Sequence, residues 1–450
     1  MPATALSLLN LAESMVEQAI ALGATQADAL AVESDAFSVQ VRLGEVEQTT
    51  GARDRGISLR VFHGQRSAAC STSDLSPEAV ERLVRDTCEL ARLTEADPCA
   101  GLPTGNAAPS TIDLEMDDGG VPLSIAERID LARRAEAAAQ GADPRIVNSE
   151  GASFDSSRGE MAYARSTGFS GSYRSSSYSL STVPVAEHGG GMQRDYWYSS
   201  GRHFADLLTP EAVGAEAARR VLRRLGGRKI ATCRVPVVFD PLTAASLMGH
   251  LAGAVSGDSV YKGTSFLASR LGQPIAAPHI TVMDDGLRPR GLGSRPFDGE
   301  GVPVGRRAVV ENGELRTFLL DTYSAKKLGH SSTGSASRGL GGSPSPGAAN
   351  FYLQPGSATP DEIIRSVRSG LYVFELIGFG VNGVTGDYSR GASGIWIENG
   401  ELTYPVEEVT ISGNLLEMFA QMEMIGNDLD FSRRVISPTV KIERMTVAGN

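Results

Sequence analysis

Apolar residues at Leu8, Ala12, Met15, Ala19 and Leu22 return at helical spacing and Gly23 follows them, so the pattern predicts an opening amphipathic helix with a glycine stop. The period then shortens to two. Leu30 and Val32, then Phe37, Val39 and Val41, then Ile57, Leu59 and Val61 alternate with other residues, which predicts short half-buried strands. Ser76-Pro77 opens a second predicted helix that runs to about Leu93. Ser124 and Glu127 form a capping box for a third, with Ile125, Ile129 and Ala132 as its apolar positions. Residues 95–122 between them are rich in Pro, Gly, Asp and Ala and predict a long connection. From 149 to 200 the chain is rich in Ser, Gly and Tyr, but Tyr178 and Leu180 keep an even spacing, so antiparallel strands with one solvated face are expected. Thr209-Pro210-Glu211 caps a further helix ending near Gly226. Its basic end, RRVLRRLGGRK, predicts a solvated terminus whose cations favour the helix dipole.

A Gly-Gly interruption near Gly226 to Cys233 precedes an apolar run from Val235 to Phe239, and the domain boundary is expected there, giving domains 1–228 and 229–450. Beyond it the signals are mostly strands and loops. Two copies of ENGEL, at 311–315 and 398–402, place Asn-Gly between strand-like flanks, the requirement of a type I′ hairpin. Thr359-Pro360-Asp361-Glu362 is another capping box, for a helix expected to end at Gly370. The expected fold is therefore α+β, with an N-terminal helix/strand domain built on a mostly antiparallel sheet and a C-terminal strand-rich domain with few helices.

Composition narrows the function. A chain of 450 residues exceeds a comfortable single core, which agrees with two domains. A net charge of −11 argues against a nucleic-acid or anionic-membrane partner, because both need a basic face. The first helix lacks a basic flank and is interrupted by Asn10, Glu13 and Glu17, so it reads as neither signal peptide nor membrane span, and a cytoplasmic location is expected. Cys70, Cys88, Cys99 and Cys233 show no metal-type spacing and are expected to be reduced, buried thiols.

The segment SLMGHLAGAVSGDSVYKGTSFLASRLG, 246–272, follows Pro241 as a helix-forming run with a single histidine, His250. Small residues surround it, and the next carboxylate, Asp258, lies beyond a glycine. A packed or hydrogen-bonded histidine is the expectation, and no metal is assigned. Together with RPFDGEGVPVGRRAVVENGELRTFLLDTYSAKKLGHSSTG, GVTGDYSRGASGIWIENGELTYPVEEVTISGNL and the ending MTVAG, this segment resembles the PmbA/TldE branch of the TldD/PmbA family, in order and over nearly the whole chain. In the metal-bearing TldD branch the equivalent helix reads HExxxH. Aligned on Gly263-Thr264-Ser265, its ligand and base positions fall on Met248, Gly249 and Gly253. That branch also uses a C-terminal cysteine ligand, whereas this chain has no cysteine after Cys233. The resemblance implies a partner subunit without cofactor, zinc being held only by a TldD-type subunit. The two would form a heterodimer enclosing a chamber for unfolded or extended peptides, as in leader-peptide processing. A homodimeric peptide-binding protein and a free-standing hydrolase with an unrecognised site remain the alternatives.

Other constellations add chamber candidates. Residues 331–350, SSTGSASRGLGGSPSPGAAN, carry Arg338 and Asn350 and predict a mobile cleft-lining loop; no phosphate-loop motif is present. The TGDYSRGASG turn offers Asp387, Ser389 and Arg390, with Asp387 expected to fix the turn and Arg390 to pair with a carboxylate. His250 completes this set. A serine nucleophile finds no support, because no GxSxG elbow exists and no histidine follows His330. Asp284-Asp285 and Asp298 with Glu300 could pair as acid and base, but are expected to be ordinary turn carboxylates.

Overall fold

The computed structural model describes residues 7–105 and 112–449, so part of the predicted connection lies outside the described residues. The first helix spans Leu8–Ala21, with the Ser7 side chain accepting from the Asn10 amide. The strands that follow are long rather than short. Leu30 to Val41 belong to one strand, Gln26–Arg42, which pairs antiparallel with Glu45–His63 over almost its full length. The polar middle does not break it, because charges pair across the ladder instead: Arg53 donates to Glu33 and lies 3.7 Å from Asp35. Ile146–Arg165 and Phe169–His188 continue the sheet, and Arg66–Thr72, Gly191–Arg194 and Trp197–Gly201 complete seven strands.

One face of this sheet carries all four long helices of the N-terminal half. The odd positions Ala27, Ala29 and Ala31 pack in a cluster with residues of Leu8–Ala21 and Pro77–Leu93. Farther along the same strand, Phe37, Val39 and Val41 pack with residues of Ile125–Gln140 and Pro210–Leu222. The capping box predicted at Ser124 is formed, although Ile125 is exposed. The opposite face meets the C-terminal half. There Asp28 is completely buried and is bound by Arg60 at 2.7 Å and Arg338 at 2.9 Å, while Arg60 also reaches Glu300 at 3.2 Å and Tyr163 donates to Asp28.

The C-terminal half holds two larger sheets around one core, besides a two-stranded ladder. Cys233–Phe239, Ser369–Ile377, Asp387–Glu398, Glu401–Asn414 and Val440–Ala448 form a ring of pairings, because Glu401–Asn414 also bonds to Val440–Ala448 and closes the sheet on itself. The second sheet is centred on Val282–Asp285. Both predicted Asn-Gly turns form, with Asn312 and Gly313 at φ 53° and 81° and Asn399 and Gly400 at 52° and 81°, the left-handed pair a type I′ turn requires.

Three expectations fail locally. The Thr359 box opens only a short helix, Pro360–Arg365, and Gly370 lies instead in the next strand, where the Pro236 carbonyl would sit 2.6 Å from an added Cβ. The basic helix stops at Leu222, and its end is solvated only in part: Arg219 is exposed, but other arginines are not. Arg220 is buried between Asp195 at 3.4 Å and Asp240 at 3.5 Å, and Arg224 reaches Glu375 at 2.5 Å. Acids from the sheet and from the C-terminal half neutralise these arginines, so the helix end joins the two halves. Finally, only Cys88 of the four free thiols is buried; the others are half-buried.

Candidate functional site

The helix Pro241–Ala254 is placed by its own N-cap. The Asp240 side chain accepts from the Thr243 amide at 2.9 Å and faces Arg220 and Arg223, so the arginines that join the halves also hold the start of this helix. Leu247, Met248 and Leu251 go into the C-terminal core. Gly249, His250 and Gly253 face the other way and line a cavity of about 290 Å³. The far wall comes from Phe266, from Phe379 and Val381, and from Arg390 on the strand Asp387–Glu398. A Cβ built on Gly249 or Gly253 would meet nothing within 4 Å. Both glycines are exposed, so this face of the helix is open.

Polar atoms converge here without partners. The His250 Nε2, the Arg390 Nε and the Tyr388 hydroxyl are each buried with no hydrogen-bond partner. Tyr388 meets the His250 ring edge to face at 6.1 Å between centroids. Burial, and then the Arg390 cation, push the His250 imidazolium down from its usual range, so the ring is neutral at physiological pH. Burial pushes the Tyr388 phenol up, keeping it protonated. The cavity thus offers one fixed cation and one neutral imidazole among apolar walls, with the Tyr388 ring packed behind His250 in the core.

This donor set does not fit zinc. It contains one imidazole, no carboxylate and no thiolate, and the neighbouring guanidinium would repel a dication. Among the described residues no group of three or more His, Cys, Asp or Glu is arranged to hold a metal ion. Of the three residues that the resemblance sets against HExxxH, Met248 is core, and Gly249 and Gly253 line the cavity.

The structure brings together only part of the predicted site. His250 and Arg390 share the cavity, and among the described residues no carboxylate forms an ion pair with Arg390, where a pairing was expected. Asp387 is exposed and accepts from Thr385 and Asn414, holding the start of its strand. Ser389 is exposed, and its amide donates to the Gly380 carbonyl at 2.6 Å. Arg338 and Asn350 lie elsewhere, both buried: Arg338 pairs with Asp28, while Asn350 accepts from the Gly293 amide and donates to the Asp285 carbonyl. The segment 331–350 is also not a free loop, since Ala336–Ser337 pairs with Ser345–Pro346 and the Ala336 amide donates to Asp298.

Of the acidic pairs, Asp298 and Glu300 do lie at a turn, where the Gly301 amide donates to the Asp298 carbonyl, whereas Asp284 and Asp285 do not. Asp284 and Asp285 end a strand, and all four acids are buried. Burial raises Asp284 to about 6, against the amide of Ala349; burial and then Glu300 raise Asp298 to about 6. Asp298 accepts from the amides of Glu300, Val302 and Ala336, which explains it as a structural anchor. Sequence reading missed Tyr388. Read as a strand, residues 387–390 put Tyr388 and Arg390 on one face and Asp387 and Ser389 on the other; read as a turn, that alternation was lost.

The helix Pro241–Ala254 thus presents one histidine and two glycines to a cavity on a strand-rich body, and the sequence profiles place that body in a metallopeptidase class. Three family profiles match, described as PmbA/TldA metallopeptidase domain 1 over residues 27–91, central domain over 120–225 and C-terminal domain over 232–449. The chain belongs to the PmbA/TldD family. It is 40% identical to metalloprotease PmbA of Escherichia coli O157:H7, over 97% of this chain and 96% of the relative, and 37% identical to the Haemophilus influenzae PmbA homolog, over 99% and 98%. A crystal structure from Bacteroides thetaiotaomicron, described as a candidate modulator of DNA gyrase, superposes with a TM-score of 0.91 at 28% identity, over 98% of each chain. TldE from Thermococcus kodakarensis shares the fold, with a TM-score of 0.87 at 22% identity, over 98% of this chain and 100% of that one.

Proposed function

We propose that this chain is the non-metallated partner subunit of a TldD-type zinc metalloprotease that acts on unfolded or extended peptides in the cytoplasm. One observation carries the reading: the helix that bears HExxxH in the metal branch is intact and held at its N-cap, yet presents Gly249, His250 and Gly253 to an open cavity. Its relatives named metalloprotease PmbA support a protease-related role. In this reading zinc-bound water is supplied by the other subunit, and this chain contributes a binding wall. An extended peptide can be held by strand addition, which gives affinity without demanding one sequence. No helix of the described residues is long and apolar enough to cross a membrane.

The isolated chain is expected to carry no stoichiometric zinc and to leave casein and unfolded peptides uncut. Elemental analysis and a cleavage assay check this. One zinc per chain that survives mild chelation, with His250→Ala releasing it, would contradict the reading. Chelator-resistant cleavage by the pure chain would favour a free-standing hydrolase, and a stable homodimer that binds peptide while ignoring a TldD-type subunit would favour a binding protein.

A further inference from the structure

Arg390 differs from the arginines around it. In the adjoining cavity of about 490 Å³, which Arg390 also lines, Arg194 is paired with Glu150, Arg220 with Asp195 and Asp240, and Arg224 with Glu375, while Arg433 has no acid but donates to the Tyr198 hydroxyl. Arg390 stands between the two cavities with its Nε buried and unpartnered, and no ion pair or hydrogen bond of its side chain is found among the described residues. A guanidinium left unneutralised in a partly buried site costs stability unless an anion arrives from outside.

The surroundings restrict that anion. Phe266, Phe379, Val381 and Leu415 help make the smaller cavity's wall more apolar than polar, so the negative group is attached to an apolar body. Phe379 is 99% exposed at the cavity mouth, an apolar side chain with nothing over it. A volume of about 290 Å³ is at the low end for ligand sites of roughly 300–1,000 Å³, which suits one terminal residue better than a chain passing through. His250 lines the same cavity with an unpartnered ring nitrogen.

We infer that the cavity between Gly249, Gly253 and Arg390 binds the free C-terminal carboxylate of a peptide whose last residue is apolar, with Arg390 as the carboxylate-binding residue. This rests on the reading that the chain handles peptides and assigns the emptied metal site a substrate-holding role. The planar fork of Arg390 matches a carboxylate. The neutral His250 adds a hydrogen bond without adding charge, and the glycines leave space for the terminal side chain.

The test uses the purified full chain and fluorescence anisotropy with an N-terminally labelled hexapeptide ending in leucine, made as the free acid and as the C-terminal amide. A charge-assisted hydrogen bond of about 1.5–3 kcal/mol predicts that the amide binds roughly 10-fold to 100-fold more weakly. Arg390→Gln should bring the acid down to the amide, and Arg390→Lys should recover part of the difference. The acid and amide comparison on the unaltered chain stands even if a variant fails to fold. Equal affinity of the two forms, or no binding of either at about 1 mM peptide, overturns the inference. Displacement by inorganic phosphate as effective as by the free-acid peptide also overturns it, because it would mean a general anion site. Co-purification with a TldD-type subunit is measured separately, so loss of this inference leaves the partner role standing.

Discussion

Asp28→Ala is expected to lower the unfolding free energy by about 3–5 kcal/mol, the range for breaking a buried ion pair from one side. Asp28 is fully buried, and its loss would leave Arg60 and Arg338 with only Glu300 for charge balance at the contact between the N-terminal sheet and the C-terminal half. Urea unfolding checks it. A loss under about 1 kcal/mol would place the pair with exposed surface bridges and refute its role in joining the halves.

The same group gives a pH dependence of defined sign. Burial would raise the Asp28 carboxyl, but Arg338 and Arg60 outweigh it and hold the group at about 2. A depressed folded-state value means the stabilisation is complete above the ordinary value of 3.8 and lost as pH falls through about 2. Asp284 and Asp298, raised to about 6, slope the other way: their contribution is largest below 3.8 and declines as pH rises to about 6. Asp28→Asn should therefore flatten the acid limb of the stability profile, leaving the slope between pH 4 and 6 in place.

Gly253→Leu is expected to separate stability from function. An added Cβ meets nothing within 4 Å and the position is helical, so folding should be unchanged or improved by up to about 1 kcal/mol. The side chain would then fill much of the cavity of about 290 Å³. Peptide processing by the assembled complex should fall at least about tenfold, comparable to the loss of a good anchoring contact. Melting temperature and specific activity measured on one preparation check both halves. Unchanged activity would remove this cavity from the functional surface.

Much of the fold could be read from local signals, and the limits of that reading have physical causes. Ser124 with Glu127 and the two Asn-Gly turns satisfy their own backbone demands, and Pro77 in the first turn removes a donor although Ser76 makes no side-chain cap, so sequence alone places them. Strand length was missed because Glu33, Asp35 and Arg53 look like loop residues until their cross-strand partners are known. The fate of the basic helix end was missed for a related reason. Arg220 and Arg224 are neutralised by Asp195, Asp240 and Glu375, which are distant in sequence. At the site, the absence of HExxxH was legible residue by residue, whereas the joining of His250 to Arg390 and Tyr388 depended on a strand some 140 residues away. Arg338 and Asn350 were read as loop residues because glycine and serine dominate their segment; long-range hydrogen bonds and an ion pair bury them.

Co-expression of this chain with a tagged subunit bearing HExxxH, followed by size exclusion, zinc analysis and cleavage of an unfolded peptide, tests the central claim most directly. The account predicts one complex containing both chains, zinc in proportion to the HExxxH subunit alone, and cleavage that neither chain shows by itself. Elution of the two chains apart, with full activity remaining in the HExxxH subunit, would contradict it.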